Sequence, residues 1–359
     1  MWVRVSRSFA CPACGRPDWC SVSEDGEVVK CMRVPSDTSN VDKTGATYYI
    51  HRQGDSPIAI PGEFRRVDRG ADRRADPGTL DRVYRLLFNK LSLRAPHRAD
   101  LMRRGLSAEQ IKLRGYVSWP PFDRRRRLCE ELMEALGGVD LTTVPGFFIN
   151  KFNAMTLGGG PACFAIPCRT PTGDIVGVQL RNDDSTAEEG PKYLFLSSFR
   201  HGGPSSGYLT HVPIHEGSKE EVRVTEGFLK ADVATARGQL QVLAMANCSS
   251  HQGLKTIVAA LGVKRVLLAM DSDHRTNRLV ALGMANTALA LRLLRVDVAI
   301  EDWDGAAGKG IDDVLVSGAP RRVHNGQAAW ELLWRNCNAL AGSVPYELST
   351  IVFPSRKTG

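Results

Sequence analysis

The chain has 359 residues and carries 47 lysines and arginines against 39 aspartates and glutamates, a formal net charge of +8. That length has room for two or three domains and a sizeable core, and the basic surplus favours polyanionic partners wherever it is clustered. No stretch approaches the roughly 18 apolar residues that span a bilayer. No signal peptide opens the sequence, so a cytoplasmic protein with reduced thiols is expected.

In chain order, the first signal is Cys11-Pro-Ala-Cys14-Gly, which has the spacing and trailing glycine of a zinc knuckle. Asp25-Gly26 is a two-residue hairpin signal that sets Val22 opposite Val29 and Cys20 opposite Cys31. Directly opposed residues have Cβ atoms about 4.5–5.5 Å apart, so Cys20 and Cys31 can converge on one ion beside the knuckle. The expectation is a closed, structural Zn²⁺ site of four thiolates, Cys11, Cys14, Cys20 and Cys31. Two rivals stand beside it: a Cys20–Cys31 disulfide, which a reducing compartment disfavours, and His51 in fourth place with Cys20 a buried thiol. Cys129, Cys163, Cys168, Cys248 and Cys337 sit among apolar neighbours and read as small core residues. Cys163 and Cys168 share an expected strand, where alternation puts them on opposite faces and rules out a metal pair.

Residues 1–54 thus read as a zinc-binding module, and 55–76 as a tether. Pro57, Pro61 and Gly62 break structure there, and Arg65, Arg66, Arg69, Arg73 and Arg74 read as solvated. From residue 77 to about 136 the pattern is helical. Leu80, Val83, Tyr84, Leu87, Phe88 and Leu91 recur at helical spacing, and residues 107–110 make a capping-box start. The unbroken run Arg124 to Arg127 opens a helix and reads as a solvated face. Residues 162–183 then form two strands joined at Thr172-Gly173; their far end carries Arg181 and leads to Lys192. A surface salt bridge with Asp183 or Asp184 is the plain alternative to a functional role for Arg181.

Residues 222–225 and 265–270 are short, rich in Val and Leu, and bounded by polar residues, as in parallel strands covered on both faces. Glu226 closes the first, and Asp271 and Asp273 close the second. Amphipathic helical stretches follow both, at 228–238 and 278–295. Carboxylates at strand C-terminal ends sit in the crevice where open α/β sheets bind ligands. Three of them suit Mg²⁺, which one or two carboxylates plus substrate phosphates usually hold. One amphipathic helix is expected around residues 328–340, followed by a polar end.

Glu226-Gly227 and Asp271-Ser272-Asp273 together resemble the toprim signature shared by DnaG-type primases, topoisomerases and some nucleases. The run 308–315, GKGIDDVL, resembles the acidic third motif of primases, with Asp312 at an acidic position and Gly310 where primases usually carry another Asp. Lys230 also departs, standing where the primase motif usually has Asp; it can approach a phosphate or pair with Asp232 or Asp271. Arg104, Gly105, Leu106, Ser107, Glu109 and Ile111 resemble the small helical element before the primase core. Pro167, Gly173, Gly177, Arg181, Pro191, Lys192 and Tyr193 resemble its basic flank, in order. The likeness covers most of residues 10–318, and primases of this variety are carried by phages, plasmids and integrated elements.

The resemblance implies an α/β protein: a toprim domain at 216–320, with a Rossmann-like parallel sheet flanked by helices, behind a basic α+β part at 77–215. A separate small β zinc ribbon precedes them, and a C-terminal helix and tail occupy 321–359. It implies a DNA primase making short primers on single-stranded DNA from NTPs or dNTPs, with two Mg²⁺ or Mn²⁺ ions on Glu226, Asp271 and Asp273 and Asp312 in support. Arg181, Lys192 and Lys230 would position phosphates or template. The zinc module would bind template through Trp19 and Arg33, although an aromatic beside a ligand more often packs beneath the hairpin. No helicase-docking domain is recognisable, so any replicative helicase would be a separate partner. A toprim nuclease and a non-catalytic zinc/toprim adaptor are the alternatives. A nuclease of this kind often carries an ATPase, for which the GxxxxGK[ST] loop is lacking.

Overall fold

The structure, a computed structural model, describes residues 2–23, 25–41, 47–54, 57–59, 74–160, 162–183, 191–207, 209–248, 250–341 and 344–353. The chain divides into two compact units, Met1–Asp68 and Arg69–Gly359.

The first unit is an antiparallel sheet of β1 (Trp2–Arg4), β2 (Ser21–Ser23), β3 (Val28–Cys31), β4 (Ser39–Val41) and β5 (Thr47–Arg52), in the order β1-β2-β3-β5-β4. The turn at Asp25-Gly26 sets the register, with Val22 opposite Val29. Asp25 Oδ1 accepts from the Glu27 amide at 3.0 Å, which closes the turn. The buried cluster is small: Val3, Val5, Phe9, Val22 and Val29, together with Cys11, Cys20 and Cys31.

The second unit opens on three helices: α1 (Pro77–Asn89), α2 (Ala95–Arg103) and α3 (Ala108–Arg114). Asp76 caps α1 by accepting from the Gly78 and Thr79 amides, and Leu80, Val83, Tyr84, Leu87 and Phe88 form its buried face. Ser107 and Gln110 make the reciprocal capping box of α3. After β6 (Val117–Ser118) comes α4 (Phe122–Leu136), and then the hairpin of β7 (Phe147–Ile149) and β8 (Met155–Leu157). The long strands β9 (Cys163–Arg169) and β10 (Ile175–Asn182) pair antiparallel, with β11 (Tyr193–Phe195) outside β10 and β6 outside β9.

Every residue of β9 is buried. Cys163 and Ala165 enter the core formed with α1 and α4. Phe164, Ile166 and Cys168 enter a second core, shared with residues of the following α/β layer. The sheet is therefore covered on both faces, and the two cysteines point to opposite sides of it.

Two basic segments differ from their sequence expectation. Arg74 is not a solvated linker residue, because its guanidinium donates to the carbonyls of Ser206 at 2.7 Å and Val176 at 2.8 Å. Arg65, Arg66, Arg69 and Arg73 lie outside the described residues. In the run opening α4, Arg126 and Arg127 are exposed and pair with Glu130 and Glu131 one turn on. Arg125 is fully buried and donates to the carbonyls of Pro120, Leu157, Gly159 and Gly160, so it anchors the loop after β8.

The α/β layer comprises β12 (Thr210–His211), β13 (Glu221–Glu226), α5 (Phe228–Arg237), β14 (Gln241–Met245), α6 (His251–Leu261) and β15 (Arg265–Leu268). It continues through α7 (Arg278–Arg292), β16 (Asp297–Asp302), α8 (Ile311–Ser317), β17 (Arg322–His324), α9 (Gly326–Ala341) and α10 (Tyr346–Val352). Sheet order is β12-β14-β13-β15-β16-β17; the four middle strands run parallel and the two edges antiparallel. Apolar clusters fill both faces, as a parallel sheet requires. No helix among the described residues is long and apolar enough to cross a membrane.

A buried ionic knot ties α3 and Tyr116, just before β6, to α5. Asp232 pairs with Arg114 at 3.2 Å and accepts from the Tyr116 hydroxyl at 2.6 Å. His211 Nδ1 accepts from the Arg169 amide, which leaves Nε2 to donate toward Asp232 Oδ1 at 3.3 Å. Burial raises the carboxyl, but His211, Arg114 and Tyr116 outweigh it and hold Asp232 below the usual carboxylate range.

Breaking such a knot from one side strands its partners. Asp232→Ala is expected to destabilise the second unit by about 3–5 kcal/mol, read from denaturant unfolding. The lowered folded-state pKa means that this contribution is complete above the ordinary carboxylate range and is lost as pH falls through the folded value. The variant should therefore show less acid sensitivity than the wild type. An unchanged unfolding midpoint at neutral pH would refute the role.

Candidate functional site

The four sulfurs of Cys11, Cys14, Cys20 and Cys31 lie within 4.8 Å of one another. Sulfurs about 2.3 Å from a common tetrahedral centre stand about 3.8 Å apart. Cys14 and Cys20 stand 3.7 Å apart and Cys20 and Cys31 3.9 Å apart, so the cage has the dimensions of a zinc site. All four are free thiols, which sets aside the disulfide. His51 is occupied elsewhere, its Nε2 standing 3.0 Å from the Val34 carbonyl oxygen.

Backbone amides converge on the sulfurs as well: Met32 on Cys20 at 3.4 Å, and Arg33 and Val34 on Cys31 at 3.4 and 3.3 Å. Burial opposes ionisation of Cys14, but the Arg16 amide and the neighbouring thiols bring it down to about 7. Arg33 turns inward toward Cys14, Cys20 and Asp18. Trp19 does not pack beneath the hairpin; it is 58% exposed.

The second cluster lies at the ends of two adjacent parallel strands. Glu226 is the last residue of β13, and Gly227 turns into α5 at φ +87°, a conformation that excludes most side chains. Asp271 and Asp273 lie just beyond β15, which pairs with β13. Burial first, and then the Asp271 carboxylate, push Glu226 up to about 7. Asp312, in the first turn of α8, is buried, and burial raises its carboxyl too.

Oδ1 of Asp273 and Oδ1 of Asp312 are buried without a hydrogen-bond partner. Crowded carboxylates with partnerless oxygens form a hard donor set suited to a divalent cation. These acids are looser than the cysteines: among the described residues no other trio of Cys, His, Asp or Glu brings its ligand atoms within 4.8 Å.

Lys230 does not reach Asp232, which the ionic knot occupies; it pairs with Asp271. Lys309 bridges Asp271 at 3.5 Å and Asp273 at 3.2 Å. Arg181 pairs with Asp100 at 2.6 Å rather than with Asp183, which His97 engages at 2.8 Å; Asp184 lies outside the described residues. Arg104 also pairs with Asp100. Lys192 sits nearby, depressed by partial burial and then by Arg181 and Arg104. Arg103 pairs with the same carboxylate, so three guanidiniums share Asp100 with Lys192 close by, a local basic surplus.

Sequence reasoning missed the residues that hold the Asp271–Asp273 loop. His274 Nδ1 accepts from the Asn336 amide at 2.8 Å, so Nε2 donates to Asp302 Oδ1 at 3.2 Å. Arg275 pairs with the same carboxylate. Despite burial, His274 and Arg275 hold Asp302 below the usual range. The Ser272 amide donates to the Lys309 carbonyl at 2.9 Å, and Trp303 Nε1 donates to the Gly308 carbonyl at 3.0 Å. Asp302 ends a third parallel strand, and that position was the available signal.

No protein-family model matches the sequence, and no curated protein sequence matches it. Solved structures do. The RNA polymerase domain of Mycobacterium tuberculosis primase DnaG aligns with a TM-score of 0.54 at 16% identity, covering 72% of this chain and 87% of that one. The fold is that of a DnaG-type primase. The Aquifex aeolicus primase, zinc-binding and RNA polymerase domains together, aligns at 0.51 and 13% identity, covering 76% and 67%. The Mycobacterium domain bound to a double-stranded DNA oligomer with a 6-nucleotide overhang aligns at 0.50 and 14%, covering 78% and 99%. One of these neighbours includes a zinc-binding domain.

Proposed function

We propose that this protein is a DNA-dependent primase that makes short oligonucleotides on single-stranded DNA by nucleotidyl transfer. The observation that carries the reading is the set Glu226, Asp271 and Asp273 on adjacent strand ends of a primase fold, with partnerless oxygens on Asp273 and Asp312. In this reading residues 216–320 are the toprim catalytic domain, 77–215 the basic flank and 1–54 the zinc ribbon, which Cys11, Cys14, Cys20 and Cys31 hold closed around Zn²⁺.

Glu226, Asp271 and Asp273, with Asp312 in support, would hold catalytic Mg²⁺ or Mn²⁺. Such a cation would supply charge neutralisation of the triphosphate and a more acidic attacking hydroxyl. A 3′-hydroxyl attacks the α-phosphorus of the incoming nucleotide, its proton is lost to solvent, and pyrophosphate leaves. Transfer of this kind needs positioning and charge rather than a protein nucleophile. Arg181 and Lys192, with Arg104 beside them, offer cations for template or nucleotide phosphates, and exposed Trp19 offers a stacking face for a template base. A separate helicase would supply the single strand.

The test is synthesis without a primer: zinc-loaded protein, mixed single-stranded templates, labelled nucleotides and Mg²⁺ or Mn²⁺. Products establish the primase. Metal-dependent loss of template without products would instead establish a nuclease, and retained binding with neither would establish an adaptor.

The loop contacts add an expectation. His274→Ala should weaken Mn²⁺ binding by about 10–100-fold, as loss of an orienting partner does, with the circular dichroism spectrum unchanged. Unaltered Mn²⁺ affinity would remove His274 from the positioning role.

A further inference from the structure

The acid cluster already contains a positive charge of its own. Lys230, one turn into α5, lays its ammonium on Oδ1 of Asp271, and its side chain is only 18% exposed. Lys309 approaches the other oxygen of Asp271 and reaches Asp273, but its side chain is 65% exposed and free to swing into solvent. The two lysines therefore differ in kind: one is enclosed, the other a surface arm.

Gly310 makes room for the enclosed one. A Cβ at position 310 would stand 2.8 Å from Cε and 3.0 Å from Cδ of Lys230, and 2.3 Å from Oδ1 of Asp312. Backbone conformation does not require the glycine, since its φ of −105° is open to any residue. Space does. The two positions at which the sequence departs from the primase acid pattern are thus in contact, and the absence of a side chain at one accommodates the lysine stem at the other.

We propose that Lys230 is the resident cation of this cluster, standing where a second divalent ion would otherwise sit, so that the site takes a single Mg²⁺ or Mn²⁺. Charge balance supports it. Lys230 offsets one of the carboxylates Glu226, Asp271, Asp273 and Asp312 from inside the cluster, and removing its charge restores the pull on a second cation. The partnerless oxygens of Asp273 and Asp312 remain as donors, whereas Oδ1 of Asp271 is taken. The inference rests on the reading of the acids as a cation site under the proposed function.

The experiment is a Mn²⁺ titration of the zinc-loaded full chain, followed by the electron paramagnetic resonance signal of free Mn²⁺. Asp273→Asn serves as the blank for binding elsewhere. Wild type is expected to bind one Mn²⁺ at the cluster. Lys230→Met, which keeps the stem and removes the charge, is expected to bind two, and Lys230→Gln gives a second route should the first variant misfold. Two ions in the wild type, or one ion of unchanged affinity in both lysine variants, would overturn the proposal. Absence of cluster-dependent binding in every protein would overturn it differently, by removing the cation site and with it the primase reading.

Discussion

Glu226→Gln is expected to lower primer synthesis by roughly 10²–10³-fold or more, the scale on which loss of one preorganised electrostatic group acts, while DNA binding and folding persist. Glutamine keeps the shape of the side chain and removes only its charge. The folded protein holds Glu226 against other carboxylates, where burial and Asp271 push it up to about 7. Removing that charge relieves repulsion, so the metal-free variant should melt at the same temperature as the wild type or above it. Loss of synthesis then cannot be ascribed to unfolding. Synthesis rates, template anisotropy and thermal melts of the two proteins check the three parts together, and wild-type synthesis by the variant would sink the catalytic assignment.

Zinc removal is expected to unfold the first unit outright. Among the described residues, its buried cluster has five apolar side chains besides the cysteines: Val3, Val5, Phe9, Val22 and Val29. A unit of this size with so small an apolar core usually needs a disulfide, a metal or a partner to stay folded. Structural zinc in small modules contributes about 10–16 kcal/mol at neutral pH, on the scale of the whole stability of such a unit. Chelation, or Cys11→Ser, should therefore abolish amide hydrogen-exchange protection across residues 2–52 and leave it in the parallel strands of the second unit. Protection that survives in the first unit after zinc loss would show that the cysteine cage is not its core.

The cysteine cage was legible in the sequence because its determinants are local. A knuckle spacing and one Asp25-Gly26 turn place all four cysteines, since hairpin register follows from the turn. The structure brings Cys20 and Cys31 together as that register requires and leaves His51 outside. Two of the four parallel strands, β13 and β15, were legible for a similar reason: each is a short apolar run closed by an acid and followed by a helix. The fold class came from the resemblance that those acids carry.

Partner choice among charged groups was not legible, because it depends on which surfaces meet. The sequence offered Asp183 or Asp184 to Arg181, and the fold supplies Asp100 from α2. It offered Asp232 or Asp271 to Lys230, and the fold gives Lys230 to Asp271 and commits Asp232 to Arg114, Tyr116 and His211, all of them more than twenty residues upstream. Arg125 looks like its neighbours in a basic run, yet the fold brings the carbonyls of Leu157, Gly159 and Gly160, more than thirty residues on, against it.

By itself, then, the sequence determined the elements, the cysteine cage and the acids at the strand ends, because helical phase, turn chemistry and strand termini are properties of neighbouring residues. Tertiary structure decided which cation faces which acid, and it alone put Gly310 against the stem of Lys230. A charge is satisfied by whatever opposite charge packing delivers, and packing is decided by residues far apart in the chain.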